Sequence, residues 1–194
     1  MKFEYAKGAT PIDADEAAEL IPNLTIQNEL NEWEQQNILT ASVKHYGKKY
    51  TFEKILDIFF LKSIHKDMFD NTWKWAGEFR KTLKNLGVEP SQIYIELKSM
   101  LDDVVYWINN NTYSKDEICV IFHHRLVSIH LFANGNGRHA RFAADLLTES
   151  LDIEPFTWGN KDLYKEGEDR KAYIGALKEA DKNNYKLLLK FVRT

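Results

Sequence analysis

Residues 114–151 read SKDEICVIFHHRLVSIHLFANGNGRHARFAADLLTESL, and the fold is decided there. Ser114 with Glu117 three residues on is a capping box, so the spacing predicts a helix beginning at that serine. The run ICVIFHHRLVSI is almost continuously apolar, which makes that helix the central buried one. It leads directly into His130-Leu131-Phe132-Ala133-Asn134-Gly135-Asn136-Gly137-Arg138-His139-Ala140-Arg141, and an apolar-periodic segment from Phe142 to Leu151 follows. Two glycines bracketing Asn136 ahead of a helix let successive backbone N–H groups converge on an anion. Arg138 and Arg141 lie three apart on that helix and project from one face. A guanidinium is always charged and grips phosphate oxygens bidentately. His130 ends the preceding helix, where a general base looks across the anion loop. Taken singly, each feature has a plain reading: a tight turn, a core histidine, a solvated basic face. Their ordered co-occurrence assembles a base, an oligophosphate cradle and two cationic clamps in one short segment.

Outward from this segment the chain is helical. DADEAAEL (13–20) predicts a short helix with acids in its first turn, ended by Pro22. From about Thr25 to Tyr46, Leu30, Trp33, Asn37/Ile38 and Ala41 recur at helical spacing. Thr51 is an N-cap for a helix through Ile55, Ile58, Phe59, Leu61 and Ile64 that stops near Phe69. Residues 76–93 break the pattern, punctuated by Gly77, Gly87 and Pro90, and predict a small β-hairpin or extended flap at about 79–90. Helical spacing resumes from about Ser91 to Asn109, and two or three helices follow Asn160. The expected architecture is all-α with one small β excursion. The expected organisation is an N-terminal helical segment over 1–50 and a core domain over 51–194.

The chain has 194 residues, 44% hydrophobic and 28% charged, enough for one domain with a sizeable core. Lys+Arg at 26 against Asp+Glu at 29 leaves a net charge of −3, which argues against a non-specific nucleic-acid binder. The single Cys119 cannot form an internal disulfide and lies in an apolar run, so a reducing, cytoplasmic setting and an inert thiol are expected. The polar, acidic N-terminus is unlike a signal peptide, and no apolar stretch suits a membrane span. His123, His124, His130 and His139 lack metal-ligand spacing and read as core or supporting groups. Asp102, Asp103 and Asp145 read as solvated charges or partners for arginines. G-x-x-x-x-G-K-[ST] is absent, which excludes a P-loop enzyme.

HLFANGNGRHAR resembles the signature of the Fic (Fic/Doc) family, H-x-F-x-[D/E]-G-N-G-R-x-x-R, with Asn134 at the usual acidic position. WAGEFR (75–80) resembles the family segment that leads into a target-binding flap. The chain as a whole, including IPNLTIQNELNEWEQQNI, is similar to the Fic subgroup called mobile mystery protein B, which also tends to carry Asn there. The resemblance implies a Fic-type helical bundle and a bacterial protein adenylyltransferase that moves AMP from ATP to a Ser, Thr or Tyr hydroxyl of a target protein. It implies His130 as base, Phe132 as buried anchor, and Gly135, Asn136 and Gly137 as the nest for the α- and β-phosphates. Arg138 would hold the departing phosphates and Arg141 the γ-phosphate. Magnesium is the implied cofactor, with Asn134 replacing its usual carboxylate ligand; an amide oxygen lacks the charge that makes carboxylate the preferred hard ligand.

Many members of the family restrain themselves through a helix carrying [S/T]-x-x-x-E-[G/N]. Thr25 to Glu29 has this spacing, with Leu30 in place of Gly/Asn, and implies an autoinhibitory Glu29–Arg141 pair on the 25–46 helix. Thr82, Lys84 and Leu86 are the implied flap contacts, Leu86 with an inward-packing alternative. The implied partners are ATP and a target protein, with no nucleic acid, no membrane and a homo-oligomer left open. A toxin–antitoxin-like role is an analogy to the subgroup. Transfer or removal of another nucleotide or phosphate group, and a catalytically weak nucleotide-binding regulator, are the competing readings.

Overall fold

The computed structural model describes residues 11–24, 26–160, 163 and 167–194; Thr25 lies outside them. The architecture is all-helical: α1 (Ala14–Ala17), α2 (Gln27–His45), α3 (Phe52–Ile55), α4 (Ile58–Phe69), α5 (Ile93–Asn110), α6 (Lys115–Ile129), α7 (Asn136–Ser150), α8 (Glu168–Ala180) and α9 (Lys186–Phe191). Helix α6 is the centre, packed on α5, α7 and α9, while α2 lies on α4 and α4 on α7. Ser114 Oγ accepts from the Glu117 N–H at 3.3 Å and the Glu117 carboxylate accepts from the Ser114 N–H at 3.0 Å, so α6 begins at its capping box. Residues Ile118 to Phe122, Leu126 and Ile129 are buried, as a helix apolar on all faces requires.

The helix expected from Thr51 to Phe69 is two. Asp57 Oδ1 accepts from the Phe60 N–H at 2.8 Å and starts a fresh helix, so α3 ends at Ile55. The expected hairpin at 79–90 is absent. Among the described residues the one β-type pairing is an isolated antiparallel bridge between Leu20 and Trp73. The segment instead sends one backbone bond from each end to the chain around His130: Arg80 N–H to Leu131 O at 2.9 Å and Val88 N–H to Ile129 O at 3.3 Å. The buried Arg80 guanidinium substitutes for a ladder. It donates from Nε to His130 O at 2.6 Å, from Nη1 to Thr82 O at 2.9 Å, and from Nη2 to Val88 O and to Ile129 O at 3.4 Å. The flap is therefore an irregular loop clipped at both ends onto the residues flanking His130.

Helix α2 buries the expected Leu30, Asn37 and Ala41, but Glu34 rather than Trp33 completes the stripe. Leu30, Glu34, Asn37, Ala41 and His45 are buried, whereas Trp33 is 44% exposed and bonds the Asn71 carbonyl at 3.0 Å. Glu34 is buried because its carboxylate has two donors, as buried charge requires.

Candidate active site

His130 caps α6 in the left-handed region, φ 59° and ψ 67°, a conformation costing a non-glycine residue about 1–2 kcal/mol. That turn takes the chain out of α6 and into the loop at the start of α7. Gly87 of the flap packs on it: a Cβ at Gly87, whose φ is 103°, would lie 2.6 Å from His130 Cβ. Burial, with the charges of Arg80 and Lys84 adding to it, brings the His130 imidazole down to about 4. It is therefore neutral at physiological pH and able to accept a proton.

The loop from Leu131 to Gly135 is held from several sides. Gly135 has φ 78°, and a Cβ there would meet Phe69 Cζ at 2.6 Å. Asn136 accepts from the Phe132 N–H at 2.9 Å and donates to the Phe132 carbonyl at 2.8 Å. Its side chain is thus a clip within the loop, and the implied phosphate role can rest only on its backbone. Phe132 is fully buried, stacked on His65 with centroids 3.7 Å apart and edge-on to His139 at 4.9 Å. The N–H groups of the first turn of α7 have no intrahelical acceptors and head a helix of 15 residues, the local geometry at which anions are commonly held.

His65 belongs to no motif in the sequence. The Gly77 N–H donates to its Nδ1 at 2.9 Å, so its proton sits on Nε2, which donates to the Asn134 carbonyl at 3.0 Å. Full burial, helped by His139 and Arg138, holds its pKa well below the usual histidine range. One neutral ring thereby ties the turn after Trp75 to the anion loop. Its only sequence signal is its register, one residue past Ile64 on the buried face of α4.

Arg138 and Arg141 come together as expected, lining one cavity of about 210 Å³ with Ser42, Tyr46, Asp145 and Trp158. Arg138 Nη1 lies 2.7 Å from Glu34 Oε2, its Nη2 lies 3.2 Å from Asn134 Oδ1, and its guanidinium covers the Phe69 ring at 4.8 Å. Glu34 Oε1 also accepts from the Trp73 indole at 2.8 Å. Arg141 lies over the Tyr173 ring at 5.6 Å. The acid that α2 brings to the motif is thus Glu34 on Arg138. Glu29 is exposed at the start of α2, where its carboxylate accepts from the Ile26 N–H at 3.3 Å, a local capping role. Five residues on a 3.6-residue helix separate the two acids by more than a turn, which turns Glu34 toward α7 and leaves Glu29 at the rim.

Asp145 is likewise no solvated charge. It accepts from the Trp158 indole at 2.8 Å and from the Tyr46 hydroxyl at 3.4 Å, and burial pushes its carboxyl up to about 7. The Lys84 side chain is turned away from solvent by contacts with Asp13 and Glu16, Thr82 is exposed but bonds the same two carboxylates, and Leu86 is 50% exposed and does not pack inward.

A buried helix ended by a left-handed histidine, then a glycine-bearing loop at the next helix N-terminus with two arginines behind it, is the arrangement this helical domain presents. Residues 55–148 match the model of the Fic/DOC family. Solved structures agree in fold. BepC, a VirB-translocated effector from Bartonella tribocorum with bound AMPPNP, is 20% identical, with 93% of this chain and 98% of that chain covered and a TM-score of 0.69. The N-terminal Fic domain of an effector from Bartonella sp. 1-1C is 20% identical, with coverage of 91% and 90% and a TM-score of 0.70. A cell filamentation protein from Bartonella quintana with bound ADP is 19% identical, with coverage of 90% and 87% and a TM-score of 0.68.

The magnesium that the family implies finds a poor ligand here. The one acceptor oxygen of Asn134 faces the Arg138 guanidinium and the Gly135 N–H, an arrangement of donors around an acceptor rather than a seat for a cation. Among the described residues no three His, Cys, Asp or Glu side chains gather as a metal site. Among the same residues no helix is long and apolar enough to cross a membrane.

Proposed function

We propose that this chain is a protein adenylyltransferase, moving AMP from ATP to a hydroxyl of a target protein, and that α2 restrains it. The observation that carries this reading is the neutral His130 held beside an anion-binding helix start with Arg138 and Arg141 behind it. His130 takes the proton of the acceptor hydroxyl, whose oxygen attacks the α-phosphorus in line, and pyrophosphate leaves. The N–H groups at the start of α7 and the two guanidinium groups receive the phosphate charge, so positioning and electrostatics supply the acceleration. The bound AMPPNP and ADP of the two Bartonella proteins support a nucleotide as the ligand.

The restraint is assigned to Glu34 in place of Glu29. A carboxylate 2.7 Å from Arg138 competes with phosphate for the same guanidinium. Glu34→Gln keeps an acceptor for Trp73 and removes the charge, so ATP binding by calorimetry rises about tenfold, the scale of a single competing contact. Intact-protein mass spectrometry with ATP then finds an added AMP on Glu34→Gln, none on His130→Ala in that background, and no gain for Glu29→Gly. A Glu34→Gln protein that binds ATP no better than wild type contradicts the restraint. ATP binding without any adduct on protein or supplied targets contradicts transfer and favours the binding-module reading, which Asn134 makes the specific alternative.

A further inference from the structure

The flap side chains that a target would meet are already engaged by the chain's own N-terminal segment. Lys84 Nζ lies 2.8 Å from Asp13 Oδ2, 2.5 Å from Glu16 Oε2 and 3.3 Å from the Pro11 carbonyl, and its side chain keeps 2% of its exposure. The Thr82 hydroxyl lies 2.7 Å from the same Asp13 oxygen and 3.1 Å from Glu16 Oε1. These contacts with Lys84 and Thr82 hold the Asp13 carboxyl below the usual carboxylate range. Beside them Leu83 and Leu86 stay 64% and 50% exposed, an apolar margin that α1 leaves uncovered.

Helix α1 has four residues, far too few to be stable alone, so its geometry is given by what it docks on. The flap it docks on is rigid by comparison, clipped through Arg80 to the carbonyls of Ile129 and His130. A cationic and hydroxyl pair on a fixed loop next to the base, filled by two carboxylates three residues apart, has the form of a recognition site with its own ligand bound in cis.

We propose that the flap at 82–86 is a docking surface for an acidic peptide segment, occupied in this chain by Asp13 and Glu16 of α1. It rests on the reading of the flap as the place where a target segment docks. An arriving acidic segment displaces α1, pairs with Lys84 and Thr82, and lays apolar neighbours on Leu83 and Leu86, which brings its hydroxyl-bearing residue toward His130.

The test is binding without nucleotide, so it is independent of whether AMP is transferred. The probe is a fluorescein-labelled peptide of residues 9–20, ATPIDADEAAEL, titrated into the full chain and followed by anisotropy. A tethered competitor acts at an effective concentration of order millimolar, so the full-chain variant Asp13→Ala/Glu16→Ala binds the probe about tenfold or more tighter than wild type. Adding Lys84→Glu to that variant abolishes binding, and a probe carrying Asp13→Lys and Glu16→Lys does not bind. No gain over wild type in the double variant overturns the proposal, as does equal binding by the Lys84→Glu variant. Where circular dichroism shows the double variant misfolded, Lys84→Ala in the wild-type chain replaces it. Amide exchange over 11–17 then rises at least tenfold with α6 and α7 unchanged, and unaltered exchange there overturns the proposal.

Discussion

His130 and the residues after it show how single side chains divide labour within one loop. The histidine holds a left-handed cap, Asn136 closes the loop on Phe132, and Gly135 lets Phe69 pass beneath. Gly137 differs: an added Cβ would meet only Arg141 Nη1 at 3.8 Å, in an ordinary helical conformation. Gly135→Ala therefore loses about 2 kcal/mol or more in urea unfolding, from backbone strain and overpacking against Phe69. Gly137→Ala leaves stability equal or up to about 1 kcal/mol higher, as expected for Gly→Ala in a helix. Weakened ATP binding in that variant then locates the close approach of phosphate. Asn134→Asp is the third residue-scale prediction. It supplies the charge a hard cation prefers, so ATP binding by calorimetry becomes dependent on added magnesium in the variant and stays nearly independent of it in the wild type.

At the scale of elements, the flap is held by one side chain. Arg80 serves four carbonyls from a buried position, and burial presses its guanidinium toward a lower pKa without unseating it. Removing it orphans the His130 and Val88 carbonyls, each worth about 1–3 kcal/mol when left unsatisfied in a buried place. Arg80→Ala thus lowers stability by roughly 3 kcal/mol and speeds amide exchange in 80–88 before that of α6. Arg80→Lys, a point charge that cannot fork, recovers only part of this. Equal exchange in flap and core would mean that the loop is held by something other than this guanidinium. Helix α2 shows how little composition says about a face. Its first strong acid, Glu29, belongs to the cap, and the acid that reaches α7 sits inside the stripe that Leu30, Asn37 and Ala41 define.

Across the whole molecule, buried imidazoles set the response to acid. His123 is brought down to about 3, and His130 and His139 to about 4, in each case chiefly by burial. In the unfolded chain they return to the ordinary value near 6.5 and bind protons the native state refuses. Stability is therefore lost as pH falls from about 6.5 to about 4, by up to roughly 1.4 kcal/mol per pH unit for each histidine. Asp145 has the opposite sign. Its native carboxyl, raised to about 7, keeps a proton that the unfolded one releases, so stability falls as pH rises from about 4 to about 7. Urea unfolding from pH 4.5 to 8 in wild type and Asp145→Asn checks both. The acid limb should persist in the variant, and the decline between pH 6 and 7 contributed by Asp145 should vanish.

Much of this protein is written in local sequence. The capping box at Ser114, the apolar run through Ile129, the glycines around Asn136 and the i, i+3 arginines each act within a turn or two of themselves. The helices and the loop between them are therefore legible in the amino-acid order alone. The helix break at Asp57 is local too, but a single capping side chain is a weak signal beside a continuing apolar period. What tertiary structure decided are long-range pairings of polar groups: Glu34 with Arg138, His65 between Gly77 and Asn134, Arg80 beneath the flap, and Asp13 and Glu16 on Lys84. Hydrophobic periodicity tells which face of a helix is buried, because burial is roughly additive over residues. A buried charge depends on the one partner that the fold brings within about 3 Å, and nothing in the surrounding sequence encodes that distance.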